Sequence, residues 1–199
     1  MMARNGPGRP RDGTVEAAIT NATLSLLAER GYTGLTTDAI AERASVSKAT
    51  IYRRWSSKFE VVIAAVTSLT QDLEAPDTGT LEGDLTVIAK DLVPVYQDPG
   101  TARLVAALLE HLVRSDELAE AVRASTVRER RRVTRVALQR GVARGEVRSD
   151  CNLEVAIDLL AAPFYFRALI TADPIDDAFA QDLVQVVLAW VRPDAATRS

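Results

Sequence analysis

The chain has 199 residues, of which 47% are hydrophobic and 26% charged, an ordinary composition for a globular protein with a sizeable core. Its single cysteine, Cys151, excludes an internal disulfide framework and favours a reducing compartment. No apolar run has the length of a membrane span, and none follows the N-terminal cations as in a signal peptide. The sequence therefore predicts a cytoplasmic protein that does not associate with membranes.

The net charge of -3 is distributed unevenly along the chain. Residues 1–58 contain nine Lys/Arg and five Asp/Glu, a balance of +4, which leaves -7 for residues 59–199. A basic segment joined to an acidic remainder is typical of a protein of which only one part meets a polyanion. The net negative charge of the whole chain is therefore no argument against nucleic-acid binding.

Apolar residues recur at helical spacing, and no segment shows sustained period-two alternation, so the sequence predicts an all-α fold. The first helix is predicted over residues 13–30 and ends at Gly31. A short second helix follows with Thr37 as its N-cap, and a short third helix covers about residues 47–55. Ser57 then begins a fourth helix within the sequence SKFE, a capping box.

The segment APDTGTLEGD, at residues 75–84, is the clearest break in the chain because it is rich in Pro, Gly and acids and lacks periodicity. About nine helices are expected in total. The five predicted after the fourth helix cover residues 81–97, 99–114, 116–144, 152–172 and 176–192.

Two short helices joined by a tight polar turn and braced by a first helix form a helix-turn-helix, whose second helix enters a DNA major groove. The sequence ASVSKATIYRRW, at residues 44–55, fits this geometry. Lys48, Thr50 and Arg53 supply hydrogen-bond donors for phosphates or base edges on the outer face. The residues that pack on the inner face are Val46, Ile51 and Trp55.

The stretch GYTGLTTDAIAERASVSKATIYRRWSSKFEVV, at residues 31–62, resembles the DNA-binding signature of the TetR family of bacterial transcriptional regulators. The resemblance implies an N-terminal helix-turn-helix domain of three short helices and a larger C-terminal helical domain for ligand binding and dimerisation. It also implies phosphate contacts from Thr37, Tyr52 and Lys58. The residues that it brings to the groove are Ser47, Lys48 and Thr50.

Two positions depart from the family pattern, which often has Gly where Lys48 stands and His or a similar residue at Arg53. The recognition surface is therefore more cationic than is usual. Arg53 either reads guanine through its bidentate guanidinium or adds a phosphate contact, and the sequence does not decide between these roles.

The N-terminal sequence GPGRPR places Arg9 and Arg11 on either side of a proline in an extended, Gly-rich arm. One interpretation is an arm that follows a DNA minor groove. The other is a disordered tail that adds only diffuse attraction. The sequence leaves both interpretations open.

By resemblance, the helices after residue 80 enclose a pocket for a small, largely apolar effector, and the last two pair with a second copy of the chain. The candidate polar groups of the pocket are Tyr96, Glu110, His111, Tyr165 and Arg167. The residues assigned to the dimer interface are Leu160, Phe164, Phe179, Leu183, Val187 and Trp190. A twofold dimer presents two recognition helices about 34–36 Å apart, which matches an inverted-repeat site on double-stranded DNA.

The basic run VRERRRVTRVALQRGVARGEVR, at residues 127–148, is either a second nucleic-acid patch or a solvated helix face. It carries one apolar stripe, and cations occupy most of the remaining circumference. This pattern favours the solvated face.

The sequence thus predicts a homodimeric repressor that binds double-stranded DNA and responds to a ligand. The predicted division is a flexible basic arm (1–12), a helix-turn-helix domain (13–58), a connecting helix and loop (59–80), a ligand-binding and dimerisation domain (81–193) and a tail (194–199).

Two other classes of protein compete with this prediction. An enzyme is disfavoured because the chain has one His and one Cys, with neither a P-loop nor a GxGxxG fingerprint, and no metal site or cofactor is expected. A helical adaptor, whose helix-turn-helix contacts only protein, is disfavoured by the cationic stretch at residues 48–58.

Overall fold

The computed structural model describes residues 10–114 and 116–193, with side chains from residue 13 onward. This part of the chain is helical and contains no strand. The α-helices are α1 (Pro10–Gly34), α2 (Thr37–Arg43), α3 (Lys48–Tyr52), α4 (Lys58–Thr67), α5 (Leu81–Gln97), α6 (Pro99–Arg114), α7 (Glu117–Val122), α8 (Arg128–Ala143), α9 (Leu153–Phe166) and α10 (Asp177–Val191).

The chain also has two π-helical turns, and each continues an α-helix without a break. The turn Arg123–Val127 joins α7 to α8, and the turn Arg167–Thr171 follows α9 directly. When each continuous stretch is counted once, the described residues form nine helices, so the predicted all-α architecture is confirmed. The five helices predicted after the break agree with the observed ends to within one residue.

The chain divides into two compact units. The first comprises the chain up to Gln71 together with Arg103–Thr126, and the second comprises Asp72–Ala102 together with the chain from Val127 onward. This division differs from the predicted one, because α4 and residues 103–126 belong with the helix-turn-helix. Periodicity identifies a helix but does not indicate which of two cores its apolar face joins.

The first unit is built around α1, which packs on α2 and α4, while α4 also packs on α7 and α2 on α3. Its core residues are at most 7% exposed. The largest of them are Ile19, Leu26, Leu27, Leu35, Ile40, Ile51, Val61, Val62, Val66, Leu104, Leu108, Leu118 and Val122. Burial of each large apolar side chain contributes about 1.5–3 kcal/mol, so this core supplies the main stabilisation of the unit.

The second unit is built around α5, which packs on α8, α9 and α10, while α9 also packs on α8 and α10. Three residues assigned to the dimer interface, Leu160, Phe164 and Val187, lie in this core with at most 1% exposure. The Phe164 ring packs against Tyr96 and Phe179, with centroids 5.8 and 5.2 Å away. The prediction was wrong for these three residues, because apolar content alone does not separate the inner face of a helix from the outer one.

The basic run forms α8 and pairs with acids of the same unit. Arg131 pairs with Asp158 and, at 2.8 Å, with Glu154, and the Arg135 guanidinium also lies 2.8 Å from Glu154. Hydrogen bonds from Arg131 and then Arg135 hold the pKa of the Glu154 carboxyl below its usual range. Part of the predicted solvated face is therefore a set of ion pairs that join α8 to α9.

Asp84 organises the start of α5 although its side chain is fully buried. Its Oδ1 accepts hydrogen bonds from the backbone N–H and the hydroxyl of Thr78, both at 2.7 Å, and its Oδ2 lies 3.5 Å from Arg144. Thr80 caps the same helix by accepting from the N–H of Gly83 at 3.1 Å. A buried carboxylate thus fixes the loop that enters the second unit.

Replacement of Asp84 with alanine should lower the free energy of unfolding by about 2 kcal/mol, because the Thr78 donors lose their acceptor in a partly buried site. Chemical denaturation followed by circular dichroism, at fixed protein concentration, measures this change. The control Asp77→Ala alters an exposed acid of the same loop and should change the value by less than about 0.5 kcal/mol. Equal effects of the two substitutions would contradict the prediction.

Candidate nucleic-acid interface

The helix-turn-helix is fixed locally by two side-chain caps. The Thr36 hydroxyl accepts from the N–H of Ala39 at 3.2 Å and begins α2, and the Ser47 hydroxyl accepts from the N–H of Thr50 at 3.2 Å and begins α3. The predicted N-cap at Thr37 is therefore wrong by one residue, since Thr36 has the extended backbone that a cap requires.

A left-handed residue makes the turn between the two helices tight. Ser45 has a φ of 54°, and the N–H of Val46 then donates to the carbonyl of Ala41 at 2.9 Å. A left-handed serine costs about 1–2 kcal/mol relative to the right-handed form. The buried residues on either side, Ile40 and Ile51, hold the turn in this conformation.

The third helix is shorter than predicted, because it ends at Tyr52 and not near Trp55. Ile51 is its only buried residue, so most of the helix surface faces outward. Ser47, Lys48, Tyr52 and Arg53 are exposed, and Thr50 is half-buried with its hydroxyl 2.9 Å from that of Ser47. Arg53 follows the helix as its C-cap residue.

The structure brings residues from α2 and α3 together at this surface. The Tyr52 hydroxyl donates a long hydrogen bond of 3.4 Å to the Thr37 hydroxyl, so the two predicted phosphate contacts are neighbours. The Lys48 ammonium lies 2.6 Å from the Asp38 carboxylate, and this hydrogen bond raises the pKa of Lys48. We call the surface of Thr37, Asp38 and residues 47–53 the α2–α3 surface.

Lys58 is engaged inside the first unit. Its ammonium donates to the carbonyls of Tyr32 at 2.9 Å and Leu35 at 3.0 Å, and it lies 4.3 Å from the centre of the Tyr32 ring. Lys58 therefore ties the start of α4 to the chain where α1 ends, with Leu35 directly after the last residue of that helix. This geometry differs from the predicted phosphate contact, because two of the three ammonium donors are already used.

The two arginines predicted for the N-terminal arm receive no structural account. Arg9 lies outside the described residues, and so does the side chain of Arg11. The backbone of α1 begins at Pro10, three residues before the predicted helix start.

A cavity of about 230 Å³ lies in the second unit. Two of the five predicted pocket residues, Tyr96 and Tyr165, line it. Most of the remaining lining is apolar, from α5, α8 and α9, from the segment before α5 and from the π-helical turn before α8. These apolar residues are Leu73, Pro76, Ile88, Leu92, Val127, Val133, Ile157, Leu160, Ala161 and Ala162.

The other three predicted pocket residues do not line this cavity. Glu110 and His111 belong to the first unit, where Glu110 lies 2.8 Å from Arg114. The Nδ1 atom of His111 is 2.6 Å from Asp116, and its ring meets Tyr32 edge-on. These predictions failed because a polar residue among apolar neighbours can equally be an internal hydrogen-bonding group.

Arg167 is also occupied away from the cavity. Its guanidinium lies 3.7 Å from the centre of the Phe179 ring and donates to the carbonyl of Pro174. Charged residues that the sequence did not single out line the cavity in its place. They are Glu74, Asp91, Arg130, Arg131 and Asp158. The only signal in the sequence was helical spacing, since residues 127, 130, 131 and 134 share one face of the continuous helix formed by α8 and the π-helical turn before it.

Neither a metal cluster nor a membrane helix is found in the part of the chain that the structure describes. Within residues 10–114 and 116–193, no three His, Cys, Asp or Glu side chains are grouped so that they could hold a metal ion. In the same part, no helix combines the length and the apolar character needed to cross a membrane.

Comparisons with known proteins match both parts of the chain. Residues 19–65 match the family described as "Bacterial regulatory proteins, tetR family", and residues 75–187 match "Tetracyclin repressor-like, C-terminal domain". The chain is 37% identical over 193 residues to YdeS of Bacillus subtilis (strain 168), an uncharacterized HTH-type transcriptional regulator. This similarity covers 96% of the chain and 97% of YdeS.

Two further proteins agree with these matches. The chain is 33% identical over 188 residues to the DNA-binding transcriptional repressor TetR of Mycobacteroides abscessus, covering 93% of the chain and 98% of that protein. The crystal structure of the TetR family transcription regulator SCO0332 is similar with a TM-score of 0.68 and 30% identity. The similarity covers 90% of this chain and 99% of the SCO0332 chain.

Replacement of Lys58 with methionine should lower the free energy of unfolding by about 1–3 kcal/mol, because two partly buried carbonyls lose a charged donor. Chemical denaturation at fixed protein concentration measures the change. Lys48→Met is the matched control, since it breaks only an exposed ion pair and should lower the free energy of unfolding much less than Lys58→Met does. If both variants had the same stability, Lys58 would not have the structural role that its contacts indicate.

Proposed function

The chain belongs to the TetR family of bacterial transcriptional regulators, and on that premise we propose that it is a homodimeric repressor of transcription. A small, largely apolar ligand releases it from an inverted-repeat operator. The observation that carries the proposal is the exposed α2–α3 surface, where hydroxyls and cations project from a helix that buries only Ile51. This role places the protein in the cytoplasm, with the chromosome.

The proposed DNA contacts follow from the order of residues along α3. The N-terminal residues of a recognition helix lie nearest the bases, which assigns Ser47, Lys48 and Thr50 to the groove. Thr37 and Tyr52 adjoin one another and hold phosphates, which sets the register without reading sequence. Arg53 reads a base with its bidentate guanidinium. The +4 balance of residues 1–58 supports attraction to the DNA backbone.

Selection of bound DNA from a random duplex pool, with Tyr52→Ala run in parallel, tests the proposal. We expect the wild-type protein alone to enrich an inverted repeat whose half-sites lie about one DNA turn apart. Failure to enrich any sequence at low salt, with protein freed of bound small molecules, would favour the adaptor that contacts only protein.

The role of Arg53 can be separated from that of Tyr52. Arg53→Ala should weaken binding to the selected operator by about 1–3 kcal/mol and relax the preference at one base pair. Tyr52→Phe should weaken binding to all sequences by a similar factor, because it removes a phosphate contact. Fluorescence anisotropy with operator variants measures both. A uniform effect of Arg53→Ala across these variants would assign Arg53 to the phosphates.

We place the dimer interface on the outer face of α9 and the π-helical turn that follows it. Val155, Leu159, Phe166 and Ile170 are exposed at spacings of four, seven and four residues, so they form one apolar stripe along the helix. Val186 is exposed on α10, where Phe179, Leu183 and Trp190 are half-buried. A continuous exposed apolar face of this kind is typical of an interaction surface.

Ile170→Asp should convert the dimer to a monomer, because it places an unpaired carboxylate in an apolar interface. The cost of about 3 kcal/mol or more corresponds to at least a hundredfold weaker dimerisation. Sedimentation equilibrium measures the association. Val113→Asp is the matched control, because Val113 is similarly exposed (77%, against 71% for Ile170) but lies on α6. Equal association of the two variants would place the interface elsewhere.

The cavity of the second unit is the proposed effector site. Its apolar lining favours a hydrophobic body, and its few polar groups favour a small number of specific hydrogen bonds. A ligand shifts a protein between two conformations only by its difference in affinity for them. We therefore propose that the effector binds more tightly to the form of the dimer that does not bind DNA.

A further inference from the structure

The cavity of the second unit has a cluster of hydrogen-bond donors within its apolar lining. Tyr96 and Tyr165 meet edge-on, with ring centroids 5.1 Å apart. Arg130 also lines the cavity, close enough for its positive charge to act on the Tyr96 hydroxyl. Thr134 lies four residues after Arg130 and hence on the same face of α8. We call these four residues the donor cluster.

The Tyr96 hydroxyl of the donor cluster stays protonated near neutral pH. Burial raises the pKa of the Tyr96 hydroxyl, and the neighbouring Tyr165 raises it further. Tyr96 therefore keeps its proton and remains a hydrogen-bond donor. The Arg130 guanidinium keeps its positive charge at all accessible pH values. The cluster thus offers several donors and one permanent cation to a ligand.

The charge of Arg130 is unbalanced within its unit. The adjacent Arg131 is paired with Asp158 and Glu154. Among the residues that the structure describes, no carboxylate forms an ion pair with the half-buried Arg130. A partly desolvated charge gains strongly from an opposite charge that hydrogen-bonds to it.

The acidic residues of the lining do not make the cavity a better site for a cation than for an anion. Glu74 and Asp91 are exposed, so water already solvates their carboxylates and a ligand cation would gain little from them. Asp158 is occupied by Arg131. The charged group of the cavity with the most to gain from a ligand is therefore the guanidinium of Arg130.

We propose that the cavity binds an organic acid anion, with a short hydrocarbon body against the apolar lining and its carboxylate on the donor cluster. The carboxylate accepts hydrogen bonds from Arg130 and from a tyrosine hydroxyl of the cluster. This inference rests on the proposed function of the cavity as the effector site.

The first test compares three probes that share one hydrocarbon chain and differ in the head group. Octanoate, octanol and octylamine are titrated separately into the full-length protein near pH 7 by isothermal titration calorimetry. Octanoate should bind at least about tenfold more tightly than octanol, because only the anion pairs with the guanidinium. Tighter binding of octylamine, equal binding of octanoate and octanol, or no binding of any probe would overturn the proposal.

A pair of variants then locates the carboxylate. Arg130→Gln should weaken octanoate binding by about tenfold to a hundredfold and leave octanol binding unchanged. Arg135→Gln removes the same charge from the same helix, but Arg135 pairs with Glu154 and does not line the cavity. It should bind octanoate like the wild type. Unchanged octanoate binding by Arg130→Gln, when circular dichroism shows it to be folded, would refute the assignment.

Release of DNA tests whether the carboxylate site is also the effector site. The same probes are added to the complex with the selected operator, and release of DNA is followed by fluorescence anisotropy. Release by octanoate supports both proposals. Calorimetric binding of octanoate without release of DNA would support the carboxylate site but contradict its role as the effector site.

Discussion

A recognition helix of five residues has no stability of its own, because isolated helices shorter than about 12 residues rarely form in water. The α3 helix therefore depends on its surroundings. Its start is capped by Ser47, and its buried side, Ile51, lies in the core of the first unit. Lys58 then fixes the chain beyond it to the end of α1. This anchoring leaves most of the other side chains of α3 exposed, as the proposed contact with DNA requires.

The fold followed closely from the sequence because helical periodicity and capping residues are local signals. The capping serine at position 57 and the break before α5 were both readable without the structure. The sequence did not indicate which residues far apart in the chain lie close together in space. The tie between Lys58 and the carbonyls of Tyr32 and Leu35 joins residues more than 20 positions apart, and nothing near Lys58 in the sequence indicates it.

This limit of prediction from sequence is clearer in the second unit. The sequence predicted which helices are apolar, but Leu160 and Phe164 turned inward whereas Phe166 and Ile170 turned outward. Similarly, two adjacent residues of the basic run have different roles. Both Arg130 and Arg131 line the cavity, but of the two only Arg131 pairs with acids of α9. The rotation of each helix about its own axis decides which side chains turn inward, and packing against the neighbouring helices of the unit sets that rotation.

The pair formed by Lys48 and Asp38 bears on the proposed contact of Lys48 with DNA. An ammonium that is already paired with a carboxylate offers less net attraction to an arbitrary stretch of phosphates. The pair is exposed and therefore weak, so a correctly placed base or phosphate can replace Asp38 at small cost. We expect the residence time on random DNA to be shortened more than that on the operator. The acid beside the recognition helix would then favour rapid sampling of many sites.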